Sequence, residues 1–269
     1  MRTLSLFLFL ALFVSACTNA GTDTEGAGEE ATSEESTQEE SAMDMVYSLE
    51  PFSESTDYPD AAIESVSFQN GQFDFEVNNY ELAVQTPDAE QKMCANSAKG
   101  QHIHVIVDKQ PYTAHYEADF EYEIEDGEHY LLSFLSRSYH ESLKHQDAHW
   151  AKKIMVENNS FSSSEDISGP MMFYSRPKGT YVGSSETEKV MLDFYLINAD
   201  LGEQYKVKAS INGEEHMIDT WQPYYISGLP IGENTIELTL LDAEGNPADI
   251  PLNPVSRTFT LKADPAESM

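Results

Sequence analysis

Phe73-Asp74-Phe75-Glu76-Val77-Asn78-Asn79-Tyr80-Glu81-Leu82 is echoed far downstream by Leu192-Asp193-Phe194-Tyr195-Leu196-Ile197-Asn198-Ala199-Asp200-Leu201. The first alternates apolar and polar residues with a period of two, the pattern of a half-buried strand, and both run into the Asn or Asp residues of a turn. Two further echoes follow in the same order. Gln110-Pro111-Tyr112 recurs as Gln222-Pro223-Tyr224, and Gly127-Glu128-His129-Tyr130-Leu131-Leu132-Ser133-Phe134-Leu135 recurs as Gly232-Glu233-Asn234-Thr235-Ile236-Glu237-Leu238-Thr239-Leu240. Both copies close on a strand, Trp150 to Val156 and Arg257 to Leu261. A repeat of this length made of short alternating runs predicts an all-β chain of two tandem immunoglobulin-like antiparallel sandwiches.

The punctuation between the runs agrees. Gly, Asn, Asp and Pro break the chain at short intervals, and Asn212-Gly213 is the strongest local signal for a two-residue hairpin. Helix signals are scarce: Asp88 to Ala98 has room for one or two turns between Pro87 and Gly100. The boundaries predicted are residues 58–158 for the first, histidine-rich sandwich, 159–169 for a polar linker, 170–262 for the second sandwich and 263–269 for a tail.

Upstream, Arg2, the apolar run Leu4 to Val14 and Val14-Ser15-Ala16-Cys17 have the parts of a secretory leader, with a cysteine at the first mature position. The apolar core is too short for a stable membrane span. This stretch resembles the lipobox of bacterial lipoproteins, so residues 1–16 are expected to be a signal peptide and Cys17 the site that takes diacylglycerol and anchors the protein to a membrane. The lack of Asp at position 18 favours the outer membrane, either its periplasmic face or the cell surface. Residues 17–57 are expected to be the lipidated cysteine and a disordered acidic tether, because from Thr18 to Met45 there is Thr, Ser, Gly, Ala and Glu but no basic or aromatic residue. The chain carries 47 acidic against 15 basic residues, a formal charge of -32. That field repels phosphates, so nucleic acid is not an expected partner. With Cys17 lipidated, Cys94 is left as a lone thiol.

Seven of the eight histidines, His102, His104, His115, His129, His140, His145 and His149, fall in the first repeat. In His102-Ile103-His104 the strand period puts two imidazoles on one face, close enough to share copper or zinc, with His115, His140 and Cys94 as further candidate ligands. The plainer alternative puts His102 and His104 on the polar side of a half-exposed strand, where Tyr112, Tyr116 and Tyr139 would form a recognition surface. A second candidate site is an anion pocket at Arg137, Tyr139, Arg176 and Lys178, set against the internal pairing of arginines that so many carboxylates invite. No Gly-x-Ser-x-Gly elbow, phosphate loop, Cys-x-x-Cys or His-Glu-x-x-His is present, and no cofactor is firmly implied.

Met93-Cys94-Ala95-Asn96-Ser97-Ala98-Lys99-Gly100-Gln101-His102-Ile103-His104, Tyr112-Thr113-Ala114-His115-Tyr116, Ser136-Arg137-Ser138-Tyr139-His140-Glu141-Ser142 and Met172-Phe173-Tyr174-Ser175-Arg176-Pro177-Lys178-Gly179 resemble uncharacterised lipoproteins of marine and flavobacteria-type Bacteroidetes that often carry the label phosphopeptide-binding protein. The likeness covers nearly all of the globular part. It implies an envelope protein on a binding scaffold and supplies no catalytic or ligand residues. The sequence therefore predicts a non-enzymatic, lipid-anchored envelope protein that recognises a peptide, glycan or small ligand through its first sandwich. Copper or zinc binding by the histidines and phosphopeptide binding at the arginines are the competing readings.

Overall fold

The hairpins that order the chain are set by Asn residues that accept left-handed backbone at little cost. Asn70-Gly71, Asn158-Asn159 and Asn212-Gly213 all have positive φ at both positions, and each joins two antiparallel strands through a two-residue turn. The computed structural model describes residues 47–265. In chain order the strands are β1 (Ser48–Pro51), β2 (Ala62–Gln69), β3 (Gln72–Asn78), β4 (His102–Val107), β5 (Thr113–His115), β6 (Asp119–Glu121), β7 (Gly127–Ser136), β8 (His149–Glu157) and β9 (Ser160–Asp166). They continue as β10 (Met171–Arg176), β11 (Gly179–Val182), β12 (Val190–Ile197), β13 (Lys206–Ile211), β14 (Glu214–Ile218), β15 (Tyr224–Ser227), β16 (Gly232–Leu241) and β17 (Val255–Lys262). A single helical turn, α1 (Ser184–Thr187), sits between β11 and β12.

Four sheets result, ordered β2-β3-β6, β5-β4-β7-β8-β9, β1-β15-β12-β10 and β11-β17-β16-β13-β14. The first two enclose one core around Phe68, Phe73, Ile103, Val105, Leu131 and Leu135. The last two enclose another around Leu192, Phe194, Val207, Leu238, Phe259 and Leu261. The connectivity repeats: β2, β3 and β6 in one sheet with β4, β5, β7 and β8 in the other correspond to β10, β12 and β15 with β13, β14, β16 and β17. This is the immunoglobulin-like three-plus-four plan, made twice. The sequence echoes fall on equivalent strands at β3/β12, β7/β16 and β8/β17. The Gln-Pro-Tyr echo does not: it precedes β5 in one sandwich and β15 in the other, because that tripeptide marks a strand entry and not one topological place.

The sandwiches are not beads on a linker. A third core joins them, made of Ile106, Tyr112, Leu132 and Phe134 from the first and Met171, Phe173, Tyr195 and Ile197 from the second. Alternate residues of β12 thus point into different cores, Leu192, Phe194 and Leu196 into one, Tyr195 and Ile197 into the other, and all eight of its residues are buried. β4 is buried along its whole length for the same reason. Polar ties cross the junction as well. The buried carboxylate of Asp193 accepts from Lys144 Nζ at 2.6 Å and from the Ser142 backbone at 3.2 Å, and the Tyr195 hydroxyl donates to the Leu143 carbonyl.

Two sequence boundaries are corrected by these contacts. Residues 48–51 of the expected tether form β1, which extends the second sandwich through β15, and Phe52 packs 4.3 Å from Tyr225. The expected linker 159–169 is mostly β9, because Asn158-Asn159 turns the chain back onto β8 in place of releasing it. Between Asp88 and Ala98 only Ala89–Gln91 winds, as one 3-10 turn. Cys17, the signal peptide and the tether up to residue 46 lie outside the described residues.

Candidate metal centre at the sandwich junction

The period of β4 sends Ile103, Val105 and Val107 into the first core and leaves His102 and His104 on the opposite face, which would be polar surface in an isolated sandwich. The second sandwich covers that face. Both histidines are 0% exposed, so the half-exposed polar strand considered from sequence is not what forms. Tyr112 (4% exposed) and Tyr139 (0% exposed) are equally interior and offer no recognition surface.

The third imidazole comes from the turn after β7. Arg137 and Glu141 close this turn through backbone hydrogen bonds, and His140 takes a φ of 68° within it. Left-handed backbone at a histidine is uncommon and costs of order 1 kcal/mol or more unless the surroundings enforce it. Thr86 helps to enforce it: its N–H donates to Ser138 Oγ, and its own hydroxyl accepts from the Ser138 N–H. The result brings His140 Nδ1 to 3.5 Å from His104 Nε2, which lies 2.8 Å from His102 Nε2. All three nitrogens fall within 4.8 Å of one another. Three nitrogens at about 2.0–2.1 Å from one tetrahedral ion would be roughly 3.3 Å apart, so small ring shifts bring this set to a first-row divalent ion.

Ring orientation is set by neighbours. The Gly100 carbonyl lies 2.7 Å from His102 Nδ1, and a carbonyl can only accept, so Nδ1 carries the proton and Nε2 presents its lone pair. This is the second-shell arrangement that metal-ligating histidines use. Gly100 reaches that position with φ of +92°, and a Cβ there would sit 2.4 Å from the Val84 carbonyl oxygen. His104 is held by stacking, with Tyr112 at 3.8 Å between ring centres and Phe134 edge-on at 4.9 Å. His104 Nδ1 is buried without a partner.

Charge completes the picture. Burial drives His102 down to about 4, the Gly100 hydrogen bond opposing and Arg176 adding to the fall. Burial also pushes His104 and His140 well below the usual imidazole range, assisted by their mutual proximity and by Arg176 and Lys178. At neutral pH all three rings are uncharged, the form in which imidazole is a ligand.

Two other candidate ligands stand apart. His115 stacks on Phe120 at 3.5 Å and faces Thr113 Oγ1; it lies on β5 and is not part of the group. Cys94 packs with Tyr139, Met191 and Tyr225, where burial raises its thiol to about 11. A thiol so protonated is a poor ligand.

The arginine pocket divides in the same way. Arg137 donates from Nε and Nη2 to the Thr56 carbonyl and pairs with Glu141 at 3.4 Å, and Tyr139 donates to Asp88, so both are internally satisfied. Arg176 (4% exposed) has no carboxylate partner among the described residues. Its Nη2 donates to the Tyr181 hydroxyl at 2.8 Å, while Nε and Nη1 are unpartnered. Lys178 donates to the Tyr112 carbonyl and lies 4.0 Å over the Tyr112 ring. Two of the candidate anion ligands thus border the histidine cluster. The supporting roles of Gly100 and Phe134 carry no sequence signal, since neither is polar or sits in a motif.

No protein-family model matches the chain, and no curated protein does. Among solved structures, the fibronectin(III)-like modules of Clostridium thermocellum CbhA align over 35% of this chain and 100% of their own at 16% identity, with a TM-score of 0.28. The extracellular domain of a protein described as a hybrid two-component system from B. thetaiotaomicron aligns over 80% of this chain and 38% of its own at 9% identity, with a TM-score of 0.27. The fold assignment rests on the strand order.

Proposed function

We propose that this protein is a non-enzymatic, lipid-anchored cell-envelope protein that binds one late first-row transition metal ion, copper or zinc, through His102, His104 and His140. The observation that carries the reading is the convergence of three imidazole nitrogens, two buried and one partly buried, within 4.8 Å from two separate chain segments. A ligand set of imidazole alone, with no thiolate or carboxylate, suits zinc and copper better than magnesium or calcium. His140, the least buried of the three, gives the ion its way in. The lipobox ending at Cys17 supports the envelope location, and the likeness to Bacteroidetes lipoproteins belongs to the same proposal. The binding reading is supported by the serines beside His140: Ser136 Oγ donates to backbone carbonyls and Ser138 Oγ is engaged with Thr86, so neither is poised as a nucleophile.

The test is elemental analysis of the purified chain with zinc, cobalt and copper titration, beside His102→Ala/His104→Ala and His140→Ala variants. One equivalent bound by the parent chain, lost in both variants and kept by Cys94→Ala and His115→Ala, is expected. Uptake by the parent no greater than by the variants, with all of them folded by circular dichroism, overturns the reading.

A further inference from the structure

We propose that the metal ion binds together with a small anion, a carboxylate or inorganic oxyanion, held by the guanidinium of Arg176. The inference rests on the three-histidine reading and adds a ligand class to it. Three neutral imidazoles leave one position open on a tetrahedral ion and bring no negative charge to it. The surroundings bring none either. Among the described residues the group able to hold an ion contains only His102, His104 and His140, and Arg176, Lys178 and Arg257 have no carboxylate partner.

These three cations form one buried neighbourhood with the histidines. The Tyr181 hydroxyl accepts from Arg176 Nη2 at 2.8 Å and from the Lys178 backbone at 3.3 Å. Lys178 Nζ lies over Tyr112, whose ring stacks on His104. Arg257 donates to the carbonyls of Gln110 and Tyr174 and leaves its Nε unpartnered.

A buried guanidinium with two unpartnered nitrogens is a costly thing to retain in a chain with 47 carboxylates to offer it. A dication placed beside it without compensation raises the cost further. An anion that occupies the open metal position and accepts from Arg176 removes both defects at once, through a charge-assisted hydrogen bond on one side and a coordinate bond on the other. The donors come from β10 of the second sandwich and the ligands from the first, so the complete site exists only where the two meet.

The experiment uses the cobalt(II)-loaded full chain, whose visible bands report the coordination shell, titrated with azide, acetate and phosphate. A saturable shift with at least one of the three is expected. Arg176→Gln should still take up cobalt but bind that anion about tenfold or more weakly, and Arg176→Lys should recover part of the loss. Cobalt uptake with no response to any of the three anions overturns this inference while leaving the metal reading intact. Anion affinity unchanged in both variants does the same. Failure of the parent chain to take up cobalt overturns both. Should Arg176→Gln fail to fold, the parent titration and Arg176→Lys still decide.

Discussion

His102 Nε2 and His104 Nε2 face each other at 2.8 Å inside a junction between two sandwiches, although the residues are two apart on one strand. Two neutral rings meet this way only if one donates to the other. Since His102 Nδ1 already donates to Gly100, the bridging proton belongs to His104, whose own Nδ1 is then a buried acceptor without a donor. A shared metal ion replaces that single bridge with bonds to every ring.

The Gly100 carbonyl fixes the tautomer of His102, so Gly100→Ala tests the second shell. The Cβ meets the Val84 carbonyl at 2.4 Å and the φ of +92° disfavours any side chain. Metal affinity is expected to fall about 10- to 100-fold, as for other second-shell changes, with stoichiometry kept. Affinity equal to the parent chain would separate the carbonyl from the site.

Asp193 is the point at which the second sandwich holds the loop carrying His140. It is fully buried and binds Lys144 Nζ and the Ser142 N–H, and its removal leaves the partly buried ammonium with the Ser142 hydroxyl and the Phe194 carbonyl but no countercharge. Asp193→Ala should cost about 3–5 kcal/mol in urea unfolding, and Asp193→Ala/Lys144→Met clearly less than that. Equal losses in the single and double variants would show that the pair is not what the junction depends on.

Much of this architecture could be read from the chain, and the reasons it stopped are physical. Alternation in Phe73-Asp74-Phe75 and the Asn-Gly turns are local signals, and they placed the repeated sandwiches. Leu192 to Ile197, by contrast, is buried on both faces, and a period of two cannot say what covers the second one. The pairing of His102 with His104 follows from strand geometry. That His140 joins them and His115 does not depends on a left-handed turn and on the register of β5, neither of which leaves a mark in composition. Arg176 was one of two equal arginines in sequence; only packing distinguishes the one that Glu141 satisfies from the one left unpartnered.

The junction core supplies a stability test independent of any metal. Phe134 and Tyr195 stack at 5.2 Å between ring centres, one from each sandwich, and both are 0% exposed. Phe134→Ala removes a buried ring that also meets His104 edge-on, and is expected to cost about 3–5 kcal/mol. A single cooperative unfolding transition should persist in the parent chain. Two separated transitions there would mean that the sandwiches unfold independently and that this core contributes little.

Cys17→Ser tests the anchor. The parent chain expressed in a lipoprotein-processing bacterium should enter the detergent phase on Triton X-114 separation and show an acyl mass on its N-terminal peptide, and the variant should stay aqueous. A parent chain cleaved elsewhere and unacylated would refute the anchor while leaving the junction site as it stands.

His129 predicts a pH dependence of the opposite sign to that of a carboxylate. Burial lowers its pKa, but the hydrogen bond to Asp108, the Glu125 carbonyl and the charges of both side chains outweigh burial, so the net shift is upward. Both ring nitrogens face acceptors, Nδ1 with Asp108 at 2.7 Å and Nε2 with the Glu125 carbonyl at 2.9 Å, and only the imidazolium donates to both. The folded pKa therefore exceeds the unfolded value of about 6.5. The stabilisation is fully present below that value and is lost as pH rises through the folded pKa. The difference in Tm between the parent chain and His129→Gln should be largest at mildly acidic pH and shrink towards alkaline pH. A difference that is constant across the range, or that grows with pH, would mean that the imidazolium is not the species Asp108 holds.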